Sequence, residues 1–159
     1  MKKYPEKIVV AWGEAISGNH EIRDWLMKNN YPELGLFCHA LYFDKSASNW
    51  LMKNAPHLLA TIKGVEGKKD AIHWLEINGF SLLAKLAKAA DNDKEQMLWL
   101  MQNDKLFAIL AQRIKLVKDD IEEANNDIHR WGYEENYFLI FFRSISLSLN
   151  FTASKKSKS

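Results

Sequence analysis

The sequence contains a single cysteine, Cys38, among 159 residues. That excludes an intramolecular disulfide framework and every metal or iron–sulfur site needing several thiolates. Glycine and proline are also scarce, seven and three in the whole chain, leaving little material for linkers. No run approaches the roughly 20 consecutive apolar residues that a membrane-spanning helix requires. A formal charge of +2 is too small to argue by itself for nucleic acid or an anionic membrane. The early apolar run Ile8-Val9-Val10-Ala11-Trp12 is cut by Glu14 before it could form the core of a signal peptide. These absences predict a cytoplasmic protein with no membrane partner.

What the chain does have is one phrase said four times. Trp25-Leu26-Met27-Lys28-Asn29 returns as Trp50-Leu51-Met52-Lys53-Asn54, as Trp74-Leu75-Glu76-Ile77-Asn78 and as Trp99-Leu100-Met101-Gln102-Asn103. The tryptophans are 25, 24 and 25 residues apart. A fixed period in this range marks a repeat architecture, whose units bury their apolar faces against their neighbours. Between the phrases lies a second pattern, apolar-small-x-apolar: Leu34-Gly35-Leu36-Phe37, Leu59-Ala60-Thr61-Ile62, Leu83-Ala84-Lys85-Leu86 and Phe107-Ala108-Ile109-Leu110. The small second residue predicts helices that approach closely.

Asn19, Asp44 and Asp93 each precede a tryptophan by six residues, where they can cap the helix that carries it; Lys68 holds that place in the third copy, leaving Gly67 or Asp70 to serve. The asparagine ending each phrase is expected to close its helix, by turning left-handed or by capping the next segment. Asp104 to about Asn126 reads as one long helix with Leu106, Phe107, Leu110, Ile114, Val117 and Ile121 on one face. Helices of about ten residues are too short to be stable alone, so their stability must come from stacking.

Residues 127–151 break the composition. Trp131, Tyr133, Tyr137, Phe138, Phe141, Phe142 and Phe151 crowd there, and Ile145-Ser146-Leu147-Ser148-Leu149-Asn150-Phe151 alternates with the period of a strand. The segment is read as an irregular cap, with a strand as one form of it, or as a surface for self-association. Residues 152–159 read as a disordered basic tail.

The two-helix unit resembles the short-repeat α-solenoids. It is similar in plan to an ankyrin repeat without its hairpin, and in length to the leucine-rich-repeat variant. The resemblance implies an all-α right-handed superhelix of about five helix pairs over residues 1–126, with units near 4–24, 25–49, 50–73, 74–98 and 99–126. It also implies a curved surface for another macromolecule.

Each candidate site has a structural role to set beside the functional one. The tryptophan column could stack on bases or ligands, yet packing between units is the expected role, since large aromatics mostly serve burial. Eight cations, Lys28, Lys53, Lys63, Lys68, Lys69, Lys85, Lys88 and Arg113, could line a nucleic-acid surface, but acids are interleaved throughout. The histidines His20, His39, His57, His73 and His129 show no close-spaced ligand motif. His39 and His57 could lie on adjacent helices, and with Cys38 they make the one conceivable Cys–His pair; Cys38, in an apolar stretch, is expected to be an inert buried thiol. Gly64-Val65-Glu66-Gly67-Lys68-Lys69 follows a helix and carries Glu66, unlike a phosphate-binding loop.

The expectation is a non-catalytic module that binds another protein, with no cofactor and no metal, and nucleic-acid binding through the lysines as the alternative. The expected partner surface is Met27, Lys28, Met52, Lys53, Glu76, Met101 and Gln102, on the positions of the first helices that do not pack.

Overall fold

Most of the short helices start beside a residue that can begin them, and most stop just before a residue with left-handed backbone. The structure is a computed structural model that describes residues 4–128, with side chains as far as residue 126. Among the described residues there are nine helices and no strand. These are α1 (Glu6–Ile16), α2 (His20–Lys28), α3 (Pro32–Leu41), α4 (Lys45–Asn54), α5 (Pro56–Val65), α6 (Lys69–Ile77), α7 (Ser81–Ala90), α8 (Lys94–Asn103) and α9 (Lys105–Ile128). The long final helix matches its expected span. The aromatic segment 127–151, its strand reading and the basic tail fall outside the described side chains.

The expected caps form. Asn19, Asp44 and Asp93 accept hydrogen bonds from the backbone amides of Ile22, Ala47 and Gln96, at 2.9–3.1 Å. Lys68 begins α6 without a side-chain cap. The turns that precede these caps place Gly18, Phe43, Gly67 and Asn92 at φ between 64° and 98°. In each, the next amide donates back to a carbonyl five residues earlier, as Asn19 does to Glu14 and Asp44 to His39. This closes the preceding helix with a left-handed residue.

The four asparagines behave otherwise than expected. None is left-handed. Instead, Nδ2 of Asn29, Asn54, Asn78 and Asn103 donates to the carbonyl of the tryptophan four residues back, at 2.8–2.9 Å. That carbonyl lies in the last turn of its helix, and at Trp25 and Trp74 it also accepts the backbone amide of the same asparagine, at 3.0 and 3.1 Å, so the side chain adds a second bond there. The bond accounts for the fixed Trp-to-Asn spacing without a ligand.

The turns after the asparagines come in two kinds. After Asn29 and Asn78 the chain passes through left-handed Asn30 or Gly79, then Tyr31 or Phe80. After Asn54 and Asn103 it enters the next helix directly, through Ala55 or Asp104. Corresponding residues recur every 49 positions, Gly18 with Gly67, Asn30 with Gly79, Phe43 with Asn92. The structural unit is therefore a four-helix pair of pairs, which is why the spacing alternates 25, 24, 25.

Odd- and even-numbered helices divide the labour. Each of α1, α3, α5 and α7 buries five or six residues, whereas α2, α4, α6 and α8 bury one or two. In the inner row, α1 packs on α3, α3 on α5, α5 on α7 and α7 on α9. Close approach relies on small residues. A Cβ on Gly35 would collide with the side chain of Met27, and one on Gly64 would come within 2.6 Å of Ile72 Cδ1 and 2.9 Å of Ala87 Cβ. The described part of the chain is thus all-α, with helices packed on their neighbours as a helical repeat demands. One contact exceeds that rule: α9 also packs against α1, so the last helix meets the first.

The tryptophan column requires a correction. The fully buried residue of each phrase is the leucine: Leu26, Leu51, Leu75 and Leu100 are all 0% exposed. Two of the four indoles, Trp50 and Trp74, pack against the core as expected, but Trp25 and Trp99 do not fill gaps between units. Trp25 is 47% and Trp99 39% exposed, with Trp50 and Trp74 half-buried. Neighbouring positions on a helix point about 100° apart, so turning the leucine inward leaves the tryptophan on a flank.

Candidate partner-binding surface

The same rotation arranges the outer helices. With Leu pointing in, Trp lies on one flank, the next residue on the other, and the residue after that faces outward. The second flank carries Met27, Met52, Glu76 and Met101; the outward place holds Lys28, Lys53, Ile77 and Gln102. All seven residues expected for the partner surface are exposed. Met27 is the least so, because its side chain lies against Gly35, while Met52 is 61% and Met101 50% exposed.

Lys28 and Lys53 make no ion pair among the described residues. Glu76 does: its Oε1 meets Lys88 Nζ at 2.6 Å. That hydrogen bond, with the nearby positive charge, holds the Glu76 carboxyl below the usual carboxylate range.

Four residues missing from the expected surface are exposed on the same outer helices. Trp25, Ile77, Leu98 and Trp99 are large, apolar and exposed, Ile77 at 67%. Ile77 stands in the lysine column, and that was its signal: an apolar residue at a place the other copies keep polar.

Several rings are held in place. Lys85 Nζ sits 4.4 Å from the Trp99 ring and also donates to Gln96 at 3.3 Å. Trp74 stacks on Phe80 and Phe80 on His57, with centroids 5.9 and 4.9 Å apart and planes within 10° of parallel. Aromatic groups fixed before contact lose less conformational freedom on binding.

The basic stripe is interrupted. Of its eight cations, Lys63 pairs with Glu66, Lys88 with Glu76 and Arg113 with Glu14, while Lys85 is engaged by Trp99. The 64–69 stretch is the end of α5 and a left-handed turn at Gly67, with Glu66 tied to Lys63 at 2.9 Å.

His39 and His57 do lie on neighbouring inner helices, but at opposite ends. His39 is in the last turn of α3, and His57 in the first turn of α5, under Phe80. Cys38 is buried and donates to the Leu34 carbonyl at 3.4 Å; burial pushes its thiol up to about 12. It remains a thiol at neutral pH and is not an activated nucleophile. Among the described residues no three His, Cys, Asp or Glu side chains converge on a metal position. No helix there is long and apolar enough to cross a membrane.

Compared with protein-family models, with curated proteins and with solved structures, the chain matches none.

Proposed function

We propose that the chain is a short right-handed α/α solenoid whose outer helices dock another protein, without catalysis. One observation carries this reading: exposed methionines recur at one matching place on α2, α4 and α8 (Met27, Met52, Met101), with exposed Trp25 and Trp99 beside them and exposed Ile77 on α6. Single exposed hydrophobics are ordinary, but a repeated row of Trp and Met has the composition of an interface. Methionine suits such a surface because its soft, unbranched side chain adapts to a partner. The contact between α9 and α1 occupies the inner row, which leaves the outer helices as the free face.

Nucleic-acid binding is the lesser reading, because three of the eight candidate cations are already neutralised by acids. A chain with a single cysteine accords with a reducing compartment, and we place the protein in the cytoplasm.

The test is photocrosslinking from positions 52 and 101, with position 10 on α1 as control. The same captured protein at 52 and 101, lost when Trp25 and Trp99 become serine, supports the surface. Equal capture from position 10 removes it. A shift of labelled RNA or DNA that weakens steeply with salt would favour the lysines instead. Capture of a second copy of the chain would point to self-association, with residues 127–151 as its expected seat.

A further inference from the structure

A cavity of about 560 Å³ lies where α9 returns to α1, walled by α1, α2, α3 and α9. Its size is that of a small-molecule pocket. The outer surface plays no part in it, so it stands or falls separately from the partner reading.

The charges in its wall are unevenly compensated. Arg113 has three partners, among them an acid within the cavity wall: Nη1 donates to the Gly13 carbonyl and to Ser17 Oγ, and Nη2 meets Glu14 Oε1 at 2.7 Å. Arg23 is paired differently. Its side chain is 20% exposed, yet its ion-pair partner among the described residues is the adjacent Asp24, which is 53% exposed and no part of the cavity wall. Nε and Nη2 share one Asp24 oxygen, at 3.1 and 3.0 Å. Guanidinium has five N–H donors, so Nη1 keeps its own. A cation covered more deeply than its counter-ion pays desolvation that the pair does not return. Two imidazoles, His20 and His39, line the same cavity.

We propose that this cavity binds a small organic oxyanion, a carboxylate or a phosphate ester, seated on the Arg23 guanidinium beside His20 and His39. Arg23 supplies the charge and a fork of donors suited to an oxyanion, and each imidazole supplies a further N–H. Ala15, Leu116 and Val117 offer apolar wall for the ligand's body. Asp120, on the α9 side, opposes a second negative charge there, so the ligand is anionic at one end.

The imidazoles report on occupancy. Burial, then the charge of Arg23, holds both below the usual histidine range. The charged groups around them are Arg23 and Asp24 on α2, Asp44 after α3, Glu14 on α1, and Arg113 and Asp120 on α9. An anion on Arg23 cancels the repulsion, so both rings take up protons as it binds.

The experiment is a titration of the full chain with inorganic phosphate and, separately, acetate, against chloride at constant ionic strength, following histidine ring resonances by NMR. Saturable shifts at His20 and His39, with His57 and His73 unmoved, are expected. Arg23→Gln weakens binding at least tenfold, and Asp24→Asn leaves it intact or tighter. The anion that saturates at lower concentration tells a phosphate ligand from a carboxylate. No saturable shift with either anion overturns the proposal, and so does an unchanged titration in Arg23→Gln. Should that variant not fold, His39→Gln decides: binding several-fold weaker supports the site, and unaltered binding overturns it.

Discussion

Arg113 closes the molecule onto Gly13, its Nη1 donating to the Gly13 carbonyl at 3.0 Å across 100 residues of chain. The same group reaches Ser17 Oγ at 2.9 Å, so one guanidinium ties the last turn of α1 to the middle of α9. Short helices in a repeat are held by their neighbours, and among the described residues α1 is followed by a helix but preceded by none. Arg113, with Leu110 packed against Gly13, provides the other side.

Arg113→Ala should therefore loosen the two ends together. The pair with Glu14 is part-exposed, so the expected loss is about 1–2 kcal/mol, a discounted value for a hydrogen-bonded charge. Urea denaturation measures it, and hydrogen exchange should quicken in the last turn of α1 and in α9. An unmoved midpoint would mean that apolar contacts alone hold the ends.

Phe43 occupies a place that its counterparts give to Gly18, Gly67 and Asn92. Its φ is 64°, and the residue is 53% exposed. Left-handed backbone costs an ordinary L-residue roughly 1–2 kcal/mol. Phe43→Asn, the residue found at the matching position 92, is expected to stabilise the fold by about 1 kcal/mol. A fall in the urea midpoint would show that Phe43's contacts beside Leu41, Ile62 and Val117, which line an apolar groove with it, outweigh the strain.

The leucine and tryptophan columns should separate fold from recognition. Leu75, fully buried, is expected to cost about 2–5 kcal/mol when cut to alanine. Trp25, nearly half exposed, is expected to cost about 1 kcal/mol, while weakening capture of the partner. Denaturation of the two variants side by side decides the matter. If Trp25→Ala were the more damaging, the indoles would be structural after all.

What the sequence discloses and what it hides are divided by distance. The caps at Asn19, Asp44 and Asp93 are legible because each bonds an amide three residues away. The span of α9 is legible because its apolar face repeats along one helix. A period identifies rows without saying which row turns inward, so Trp25 and Leu26 exchange roles on a rotation of 100°. The alternation of spacings between tryptophans already carried the 49-residue unit, but its cause, two kinds of turn, lies in backbone angles at Asn30 and Gly79. Arg113 stands among eight similar cations, and nothing local marks it as the one that reaches Gly13. The cavity draws Arg23, His39 and Asp120 from three helices, so no spacing could reveal it.

Stability should depend on pH in two separate windows. His20, His39 and His57 all sit below their ordinary value of 6.5, each chiefly because burial disfavours the charged ring. The folded state thus binds fewer protons than the unfolded chain once the pH drops below about 6.5, and falling pH favours unfolding. The contribution of neutral histidines is present above that value and is lost as the pH falls through 6.5 toward the lower folded values. Asp44 and Glu76, depressed by hydrogen bonds from Ser46 and Lys88, act later: their contribution is present above their ordinary values of 3.8 and 4.5 and lost below them. Melting curves at a series of pH values should therefore show an early decline, then a steeper acid loss. His39→Gln is expected to flatten the early decline and leave the acid one unchanged. Inorganic phosphate should flatten it too, since an anion on Arg23 restores the proton affinity of His20 and His39. An early decline equally steep in His39→Gln would assign that window to other groups.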